Sequence, residues 1–337
     1  MRSIPTSRYL QVAKYLMKNW STGEAIYPFY CSFKLTRMCN FRCSFCNCWH
    51  LAKTWKDIPT ESVKKIIDNI ASSSILLCSF EGGEPLVRED IKEILQYQST
   101  KPFYLLFTTS ERDLLTKYPM DEYAKYMDFL HISIDEGHEN MFMYDQLEEF
   151  TKWGPIVTIQ IVVTKDTIDA MEHKIQRCYE AGVKAVVMVA AHLKNTKDHY
   201  PDIRKVSEKG LEMKHKYPGV IISPDEYFHR VLEPHACNAS SIIVDADGYL
   251  FYPCRVKEQK TIDLAKESLI EFLDSPRAVE LRREMKACDA NCGWYQYYAT
   301  QSFTSIGETI GSLRPYFRDM LNGGRQPVAG KRTRAET

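Results

Sequence analysis

The chain has 337 residues, and with 44% hydrophobic residues it can bury one barrel-sized core and a smaller extension. Its 44 Lys and Arg balance its 44 Asp and Glu, so a net charge of zero provides no basic field to attract nucleic acid. The sequence has no apolar run of about 18 residues that indicates a membrane span, and its first residues lack a signal-peptide core. We therefore expect a cytoplasmic protein that binds no nucleic acid.

Residues 1–25 are predicted to form an amphipathic helix, because apolar residues recur at helical spacing among basic residues between Arg8 and Trp20. Such a helix can lie on an anionic membrane surface, which would make the protein peripheral to the membrane. Covering the open bottom of the barrel is the favoured interpretation, since most amphipathic helices pack on a core. The sequence leaves both interpretations open.

Three cysteines, Cys39, Cys43 and Cys46, follow a short predicted strand at residues 32–35. A C-x3-C-x2-C spacing presents three thiolates on one loop, which can hold three irons of a four-iron cluster and leave the fourth iron without a protein ligand. A zinc site is the alternative, since Cys48 or His50 could supply the fourth ligand.

A second motif follows the apolar run at residues 75–80, which predicts a buried strand. The strand ends at Glu81, Gly82, Gly83, Glu84 and Pro85. Glycines at this position let backbone groups approach a ligand closely. Because two independent motifs occur together, zinc becomes the weaker interpretation of the cysteine loop.

Apolar runs alternate with amphipathic stretches along most of the chain, which is a β/α pattern. Strands are predicted at residues 32–35, 75–80, 103–108, 129–134, 156–163 and 184–189. Helices are predicted at residues 60–70, 88–97, 139–152, 168–181 and 202–216. The predicted fold class is α/β, a partial (β/α)6 parallel barrel over residues 26–222 with a small C-terminal α+β extension over residues 223–303. A C-terminal helix and a disordered tail are expected in residues 304–337.

Further candidate residues lie at the carboxyl ends of the predicted strands, where parallel barrels collect their functional groups. Thr108 ends the third strand, while Ser133 and Asp135 lie at the end of the fourth. The alternative for Asp135 is an ordinary polar turn, because Asp and Gly are common turn residues.

Four more cysteines occupy the C-terminal part of the chain. Two β-rich segments flank the turn at residues 247–248, and this hairpin is predicted to bring Cys237 near Cys254. Cys288 and Cys292 follow a helical stretch. Together the four thiolates could enclose one metal centre, either an iron–sulfur cluster or a structural zinc.

The cysteine loop and the motif at residues 81–85 together resemble the signatures of the radical S-adenosylmethionine (SAM) superfamily. The resemblance implies a 4Fe-4S cluster on Cys39, Cys43 and Cys46, with the amino and carboxylate groups of SAM chelating the remaining iron. It further implies that residues 81–85 hold the methionine amino group and that Phe45 lies against the adenine. Ser133 and Asp135 would contact the ribose or carboxylate of SAM.

The region from Cys237 to Cys292 resembles the auxiliary-cluster extension called a twitch domain, a shorter relative of the SPASM domain. The resemblance implies a second 4Fe-4S cluster on Cys237, Cys254, Cys288 and Cys292. The chain departs from the usual spacing in two places: the hairpin glycine stands one residue farther from the second cysteine, and the last pair is C-x3-C.

These resemblances imply a radical SAM enzyme that reductively cleaves SAM to a 5′-deoxyadenosyl radical, which abstracts hydrogen from an unactivated carbon. The substrate stays open among small molecules, peptides and lipids. The lipid hypothesis comes from the resemblance of the first residues, through Tyr27 and Pro28, to hopanoid-adenosylating radical SAM enzymes. An electron donor such as ferredoxin or flavodoxin is implied as a partner. The non-enzyme alternative is a zinc or redox scaffold.

Overall fold

The computed structural model describes residues 2–52, 54–190, 197–233, 236–290 and 292–310. Its nine strands are β1 (Tyr30–Thr36), β2 (Leu77–Gly82), β3 (Tyr104–Thr109), β4 (Phe129–Ser133), β5 (Ile156–Val163), β6 (Lys184–Val189), β7 (Ser241–Val244), β8 (Tyr249–Phe251) and β9 (Lys260–Asp263). Its helices are α1 (Thr6–Thr22), α2 (Thr60–Ser72), α3 (Ile91–Ser99), α4 (Met120–Tyr123), α5 (Leu147–Phe150), α6 (Met171–Ala181), α7 (Ile203–Lys216), α8 (Asp225–Leu232), α9 (Leu269–Asp274), α10 (Pro276–Lys286) and α11 (Tyr295–Ala299).

All nine strands belong to one sheet in the order β6-β5-β4-β3-β2-β1-β7-β8-β9. Strands β1 to β6 are neighbours in chain order and pair in parallel. This arrangement confirms the predicted α/β class and its parallel sheet. The sheet is not closed, because β6 and β9 lie at its two edges.

The strands alternate their side chains between a face covered by helices and the inside of the partial barrel. In β1, Cys31, Phe33 and Leu35 are fully buried on the helix side, while Tyr30 and Lys34 line the barrel interior. Helix α2 packs on the outer face through Val63, Ile66, Ile67 and Ile70, which recur at helical spacing and are all 0% exposed. The inward-facing side chains of the strands therefore line an internal cavity.

Helix α1 lies across the amino-terminal ends of the barrel strands. The guanidinium of Arg8, which is 3% exposed, donates hydrogen bonds to the carbonyl oxygens of Ser73 at 2.7 Å and Pro102 at 3.1 Å. Both carbonyls belong to the segments that lead into β2 and β3, so Arg8 fixes the helix to the bottom of the barrel. None of the described helices combines the length and hydrophobicity needed to cross a membrane.

One predicted helix is wrong: in place of a continuous helix over residues 139–152, the structure has the 3-10 turns Met141–Asp145 and Thr151–Trp153 on either side of the one-turn helix α5. The buried Asn140 side chain accepts a hydrogen bond from the backbone N–H of Asp135 and donates to the carbonyl oxygen of Ser133. Side-chain bonds to the backbone compete with regular helix formation. Asn140 therefore holds the backbone at the end of β4, and residues 139–152 do not form one continuous helix.

The predicted hairpin is present, with β7 and β8 antiparallel around Gly248 at φ +86°. The sequence did not indicate that β7 also pairs in parallel with β1, from Tyr30 opposite Ser241 to Phe33 opposite Val244. The cysteine-bearing C-terminal region therefore continues the barrel sheet. Residues 311–337, most of the expected C-terminal helix and tail, lie outside the described residues.

We expect Arg8→Met to lower the free energy of unfolding by about 1–3 kcal/mol, because buried carbonyls lose their donor. Chemical denaturation of the purified protein measures the change. Lys14→Met is the matched control, since Lys14 is exposed on the same helix and should shift stability by less than about 0.5 kcal/mol. Equal stability of the two variants would contradict the role of Arg8 in fixing α1 to the bottom of the barrel.

Candidate active site

The cysteine loop begins where β1 ends, at the carboxyl end of the barrel. Cys43 is buried, whereas Cys39 and Cys46 are half-buried. Two polar contacts fix the loop: the Asn40 amide donates to the Glu111 carboxylate at 2.9 Å, and the Trp49 indole N–H donates to the carbonyl oxygen of Cys43 at 3.0 Å. The three thiols are thus presented by a loop that is held at several points.

Burial controls the charge of these thiols. Desolvation raises the pKa of Cys39 to about 11 and also raises the pKa of Cys43. For Cys46, a hydrogen bond with the Cys48 thiol is the largest cause of a raised pKa, and desolvation adds to it. Thiolates at such positions need the positive charge of bound metal, and metal binding releases their protons. A set of three cysteine thiolates suits an iron–sulfur cluster, so these residues fit the group that the sequence implies.

Gly82, the last residue of β2, and Gly83 bring the backbone of the strand end against the start of the cysteine loop. A Cβ on Gly82 would lie 2.4 Å from the Thr36 oxygen, and one on Gly83 would lie 2.0 Å from the Met38 oxygen. The N–H of Gly83 donates to the Thr36 oxygen at 2.8 Å, and that of Glu84 donates to the Met38 oxygen at 2.8 Å. Glycine is therefore required here for contact between two backbone segments.

Glu84 joins the end of β2 to the end of β3. Its carboxylate, 0% exposed, accepts hydrogen bonds from the Thr109 hydroxyl and the Ser110 N–H, both at 2.8 Å, and from the Leu86 N–H at 3.1 Å. Burial nevertheless raises the pKa of Glu84 to about 7, against the effect of these donors. The side chain organises the backbone around the site.

The end of β4 carries a residue that the sequence did not single out, His138. Its Nδ1 lies 2.7 Å from the Asp135 carboxylate, whose other oxygen accepts the His138 backbone N–H at 3.1 Å. The His138 ring meets Phe45 edge-on, with centroids 5.9 Å apart. A histidine three residues after an aspartate in a polar turn gave no distinct sequence signal, because the contact with Phe45 spans two loops.

One cavity of ≈620 Å³ collects most of the predicted SAM site. Its wall includes Phe45, Cys46, Glu81, Gly82, Gly83, Glu84, Thr108 and Ser133, together with His138. Cys39, Cys43, Pro85 and Asp135 are not part of this wall. The structure therefore brings eight of the predicted residues to one space, and Asp135 acts on that space through His138.

A second cavity, of ≈500 Å³, is lined by all four C-terminal cysteines: Cys237, Cys254, Cys288 and Cys292. Burial, and then the neighbouring thiols, raise the pKa of Cys237 to about 12. No three His, Cys, Asp or Glu side chains in the described ranges converge closely enough to hold a single metal ion. Four thiols around one cavity form a donor set that fits an iron–sulfur cluster.

A thin wall separates the two cavities. Trp294, Tyr295 and Gln296 line the first cavity, whereas Tyr297 and Tyr298 line the second. Arg255 lines the first and its neighbour Cys254 lines the second. The backbone N–H of Arg255 donates to the Tyr297 hydroxyl oxygen at 2.6 Å, which holds the two sides of the wall together.

Sequence similarity to characterised proteins is local, as two of the relatives illustrate. PqqA peptide cyclase from Bradyrhizobium diazoefficiens is 32% identical over 111 residues, 32% of this chain and 29% of that protein. The S-adenosylmethionine-dependent nucleotide dehydratase RSAD2 from Oncorhynchus mykiss is 27% identical over 113 residues, 32% of each chain. The chain thus spans about a third of the length of these relatives.

Similarity to solved structures covers most of the chain. The Streptococcus suis protein SuiB, solved with its precursor peptide SuiA, superposes with a TM-score of 0.60 and 16% identity over 87% of this chain and 80% of SuiB. The protein anSMEcpe with bound AdoMet gives 0.58 and 17% identity over 88% of this chain and 98% of that protein. At such identities these similarities establish the fold.

The family follows from a sequence profile that covers more than half of the chain. The profile describes the radical SAM superfamily, and it matches residues 33–231. That range begins in β1, contains the cysteine loop and the glycine motif, and ends in α8. SAM and a 4Fe-4S cluster are the cofactors of this family. The chain therefore belongs to the radical SAM superfamily.

Proposed function

We propose that this protein cleaves SAM on a 4Fe-4S cluster held by Cys39, Cys43 and Cys46. The observation that carries the proposal is the joining of two motifs by backbone hydrogen bonds, Gly83 to Thr36 and Glu84 to Met38. The joined motifs border one cavity with Phe45 and Ser133. When bound, the cluster supplies the electron that converts SAM to methionine and a 5′-deoxyadenosyl radical, which abstracts hydrogen from a substrate carbon.

The residues of the cavity divide the work of binding SAM. We assign the backbone at residues 81–85 to binding the methionine amino group, and the Phe45 ring to contact with the adenine. Thr108 and Ser133 provide hydroxyl groups on the same wall, while Asp135 holds His138 toward the cavity. Pro85 does not line the cavity but begins the short turn Pro85–Val87 that Glu84 caps, so we assign it to terminating the motif and holding Glu84 in place.

We further propose an auxiliary 4Fe-4S cluster on Cys237, Cys254, Cys288 and Cys292. The proposal is supported by the shared cavity and by the closeness of the thiols, which add to the effect of burial in raising the pKa of Cys237. With four protein ligands, such a cluster has no open iron for a substrate. Its side of the thin wall suits electron exchange with a reaction in the first cavity, and an external one-electron donor such as ferredoxin or flavodoxin completes the system.

A peptide substrate is the second candidate, because SuiB was solved with a precursor peptide and PqqA peptide cyclase carries peptide cyclisation in its name. The relatives do not agree, since RSAD2 is named a nucleotide dehydratase. Similarity therefore does not select among peptides, lipids and small molecules. The shape and polarity of the cavity must decide.

We expect about eight irons per chain after anaerobic reconstitution, four in each cluster, and 5′-deoxyadenosine formation with dithionite and SAM. Changing Cys39, Cys43 and Cys46 together to Ala should leave about four irons and abolish 5′-deoxyadenosine. Changing the four C-terminal cysteines to Ser should also leave about four irons. Iron and sulfide quantification with product chromatography measures both. Zinc in place of iron, with no SAM cleavage, would refute the proposal.

Gly83→Ala should displace the cysteine loop, because its Cβ would overlap the Met38 oxygen at 2.0 Å. We expect at least a tenfold loss of 5′-deoxyadenosine formation and a lower iron content at the first cluster, both measured after reconstitution. Gly307→Ala is the control, since Gly307 is exposed and a Cβ there meets nothing within 4 Å. Equal activity in the two variants would mean that contact between the loop and the glycines does not organise the site.

A further inference from the structure

The ≈620 Å³ cavity does not end at the SAM motifs but continues down the inside of the barrel to α1. Its lower part, which we call the lower lumen, is lined by Val12, Leu16, Phe29, Tyr30, Leu76, Leu77, Tyr104, Leu106, Phe129 and Phe303. From Leu77 to Gly82 the strand β2 has five residue steps, so the wall runs roughly 16 Å along the strand direction. A long, narrow and mostly apolar space therefore leads away from the cysteine loop.

A space of this size is not a packing defect. Protein interiors are close-packed and contain few voids larger than a water molecule, whereas ligand sites commonly enclose 300–1,000 Å³, as a rough range. The inward-facing side chains of β2 and β3 could fill the barrel if they were larger, but Leu77 and Leu106 leave it open. The cavity as a whole thus has the size of a ligand site, and the lower lumen is the part of it that the SAM motifs do not border.

Polarity changes along the cavity. At the upper end, Lys34 lies 3.7 Å from the Glu81 carboxylate, and Ser133 and Gln160 also line the wall. His131 stands between the two ends, and burial lowers its pKa to about 4, so its ring is neutral near pH 7. Charge is confined to the end nearest the cysteine loop, and the end at α1 is apolar.

This wall is poorly suited to an extended peptide. Each peptide unit carries an N–H and a C=O group that must find partners when buried. In the lower lumen the side-chain hydroxyls of Tyr9 and Tyr104 already hydrogen-bond each other. Among the remaining side chains named for its wall, Tyr30 has a hydroxyl, which hydrogen-bonds Ser79, and the others are hydrocarbon, which suits a chain of methylene or isoprenoid units.

The lower end of the cavity lies close to the surface beside α1. Tyr9 lines the cavity and is also 38% exposed. On the outer side of the same helix, Leu10 is 62% exposed and Met17 is 54% exposed, seven residues apart and therefore on one face. Apolar groups thus border the lumen from its interior to its outer rim.

We propose that the substrate is an amphiphile whose hydrocarbon chain occupies the lower lumen, enters beside α1, and presents its more polar part toward the cysteine loop. This inference rests on the proposed function and specifies its substrate class. The hydrocarbon chain would fill the apolar lower lumen. The polar part would meet the ion pair of Lys34 and Glu81 in the upper wall.

The test uses the reconstituted protein with SAM and the alkanoates of 8, 10 and 12 carbons, all below their micelle concentrations. Binding should tighten about fourfold per added methylene, measured by calorimetry, because each methylene leaves water for an apolar wall. Equal affinity for the three lengths would overturn the proposal.

Two substitutions at neighbouring positions test where the hydrocarbon chain of the alkanoate binds. Ala13 lines the cavity at the end farthest from the cysteine loop, so Ala13→Trp should weaken dodecanoate binding at least tenfold and affect octanoate little. Lys14→Trp adds the same side chain on the exposed face and should change neither affinity. Iron content and thermal midpoint verify that both variants are folded and loaded. Equal losses in the two variants, or none in Ala13→Trp, would overturn the assignment.

The same preparations separate this inference from the proposed function. Length-dependent alkanoate binding without 5′-deoxyadenosine formation by the unsubstituted protein would refute SAM cleavage, and with it the role of the lumen as a substrate site. Formation of 5′-deoxyadenosine without length-dependent binding would refute the hydrocarbon chain alone. Both results together support an amphiphilic substrate.

Discussion

The contact between the end of β2 and the start of the cysteine loop is the constraint on which the site depends. Two backbone segments meet so closely at Gly82 and Gly83 that any Cβ would overlap the carbonyl oxygens of Thr36 or Met38. Paired backbone hydrogen bonds then hold the loop in register with the strand. The position of the thiols is therefore set by main-chain geometry, which varies less than side-chain rotamers do.

From this contact the order extends sideways through the sheet. Glu84 carries it to the end of β3, where its carboxylate accepts bonds from Thr109 and Ser110. On the other side, Arg37 forms a buried ion pair with Asp245 at the end of β7. Breaking such a pair leaves an uncompensated charge, so the two partners fix each other. The first and second cysteine groups are thus tied to one continuous sheet.

The barrel interior shows how the fold provides for a substrate. Its outer face is filled by helices, as Val63 and Ile66 illustrate, whereas its inner face leaves a lumen between α1 and the cysteine loop. Leaving apolar surface without contacts costs dispersion energy, which a bound chain would restore. Arg8 anchors α1 at this end and so defines the floor of the lumen. The fold and the proposed substrate class are linked by the same unfilled space.

Many features of this protein could be predicted from short stretches of its sequence. The alternation of apolar runs predicted the parallel strands, and the spacing of Cys39, Cys43 and Cys46 before the glycine motif indicated the superfamily. These features were readable because each depends on residues close together in the chain. The helix predicted over residues 139–152 failed because Asn140 bonds to Ser133 and Asp135 instead.

Long-range contacts decided the rest. Only the tertiary structure paired β7 with β1 and placed His138 against Phe45, and it gave the four C-terminal cysteines, whose grouping the sequence predicted, a shared cavity beside the first one. It also revealed that the barrel interior stays open down to α1, since the size of a lumen depends on all the inward side chains at once. The sequence by itself determined the elements and the chemistry of their loops, whereas packing between distant residues determined the shape of the space in which that chemistry takes place.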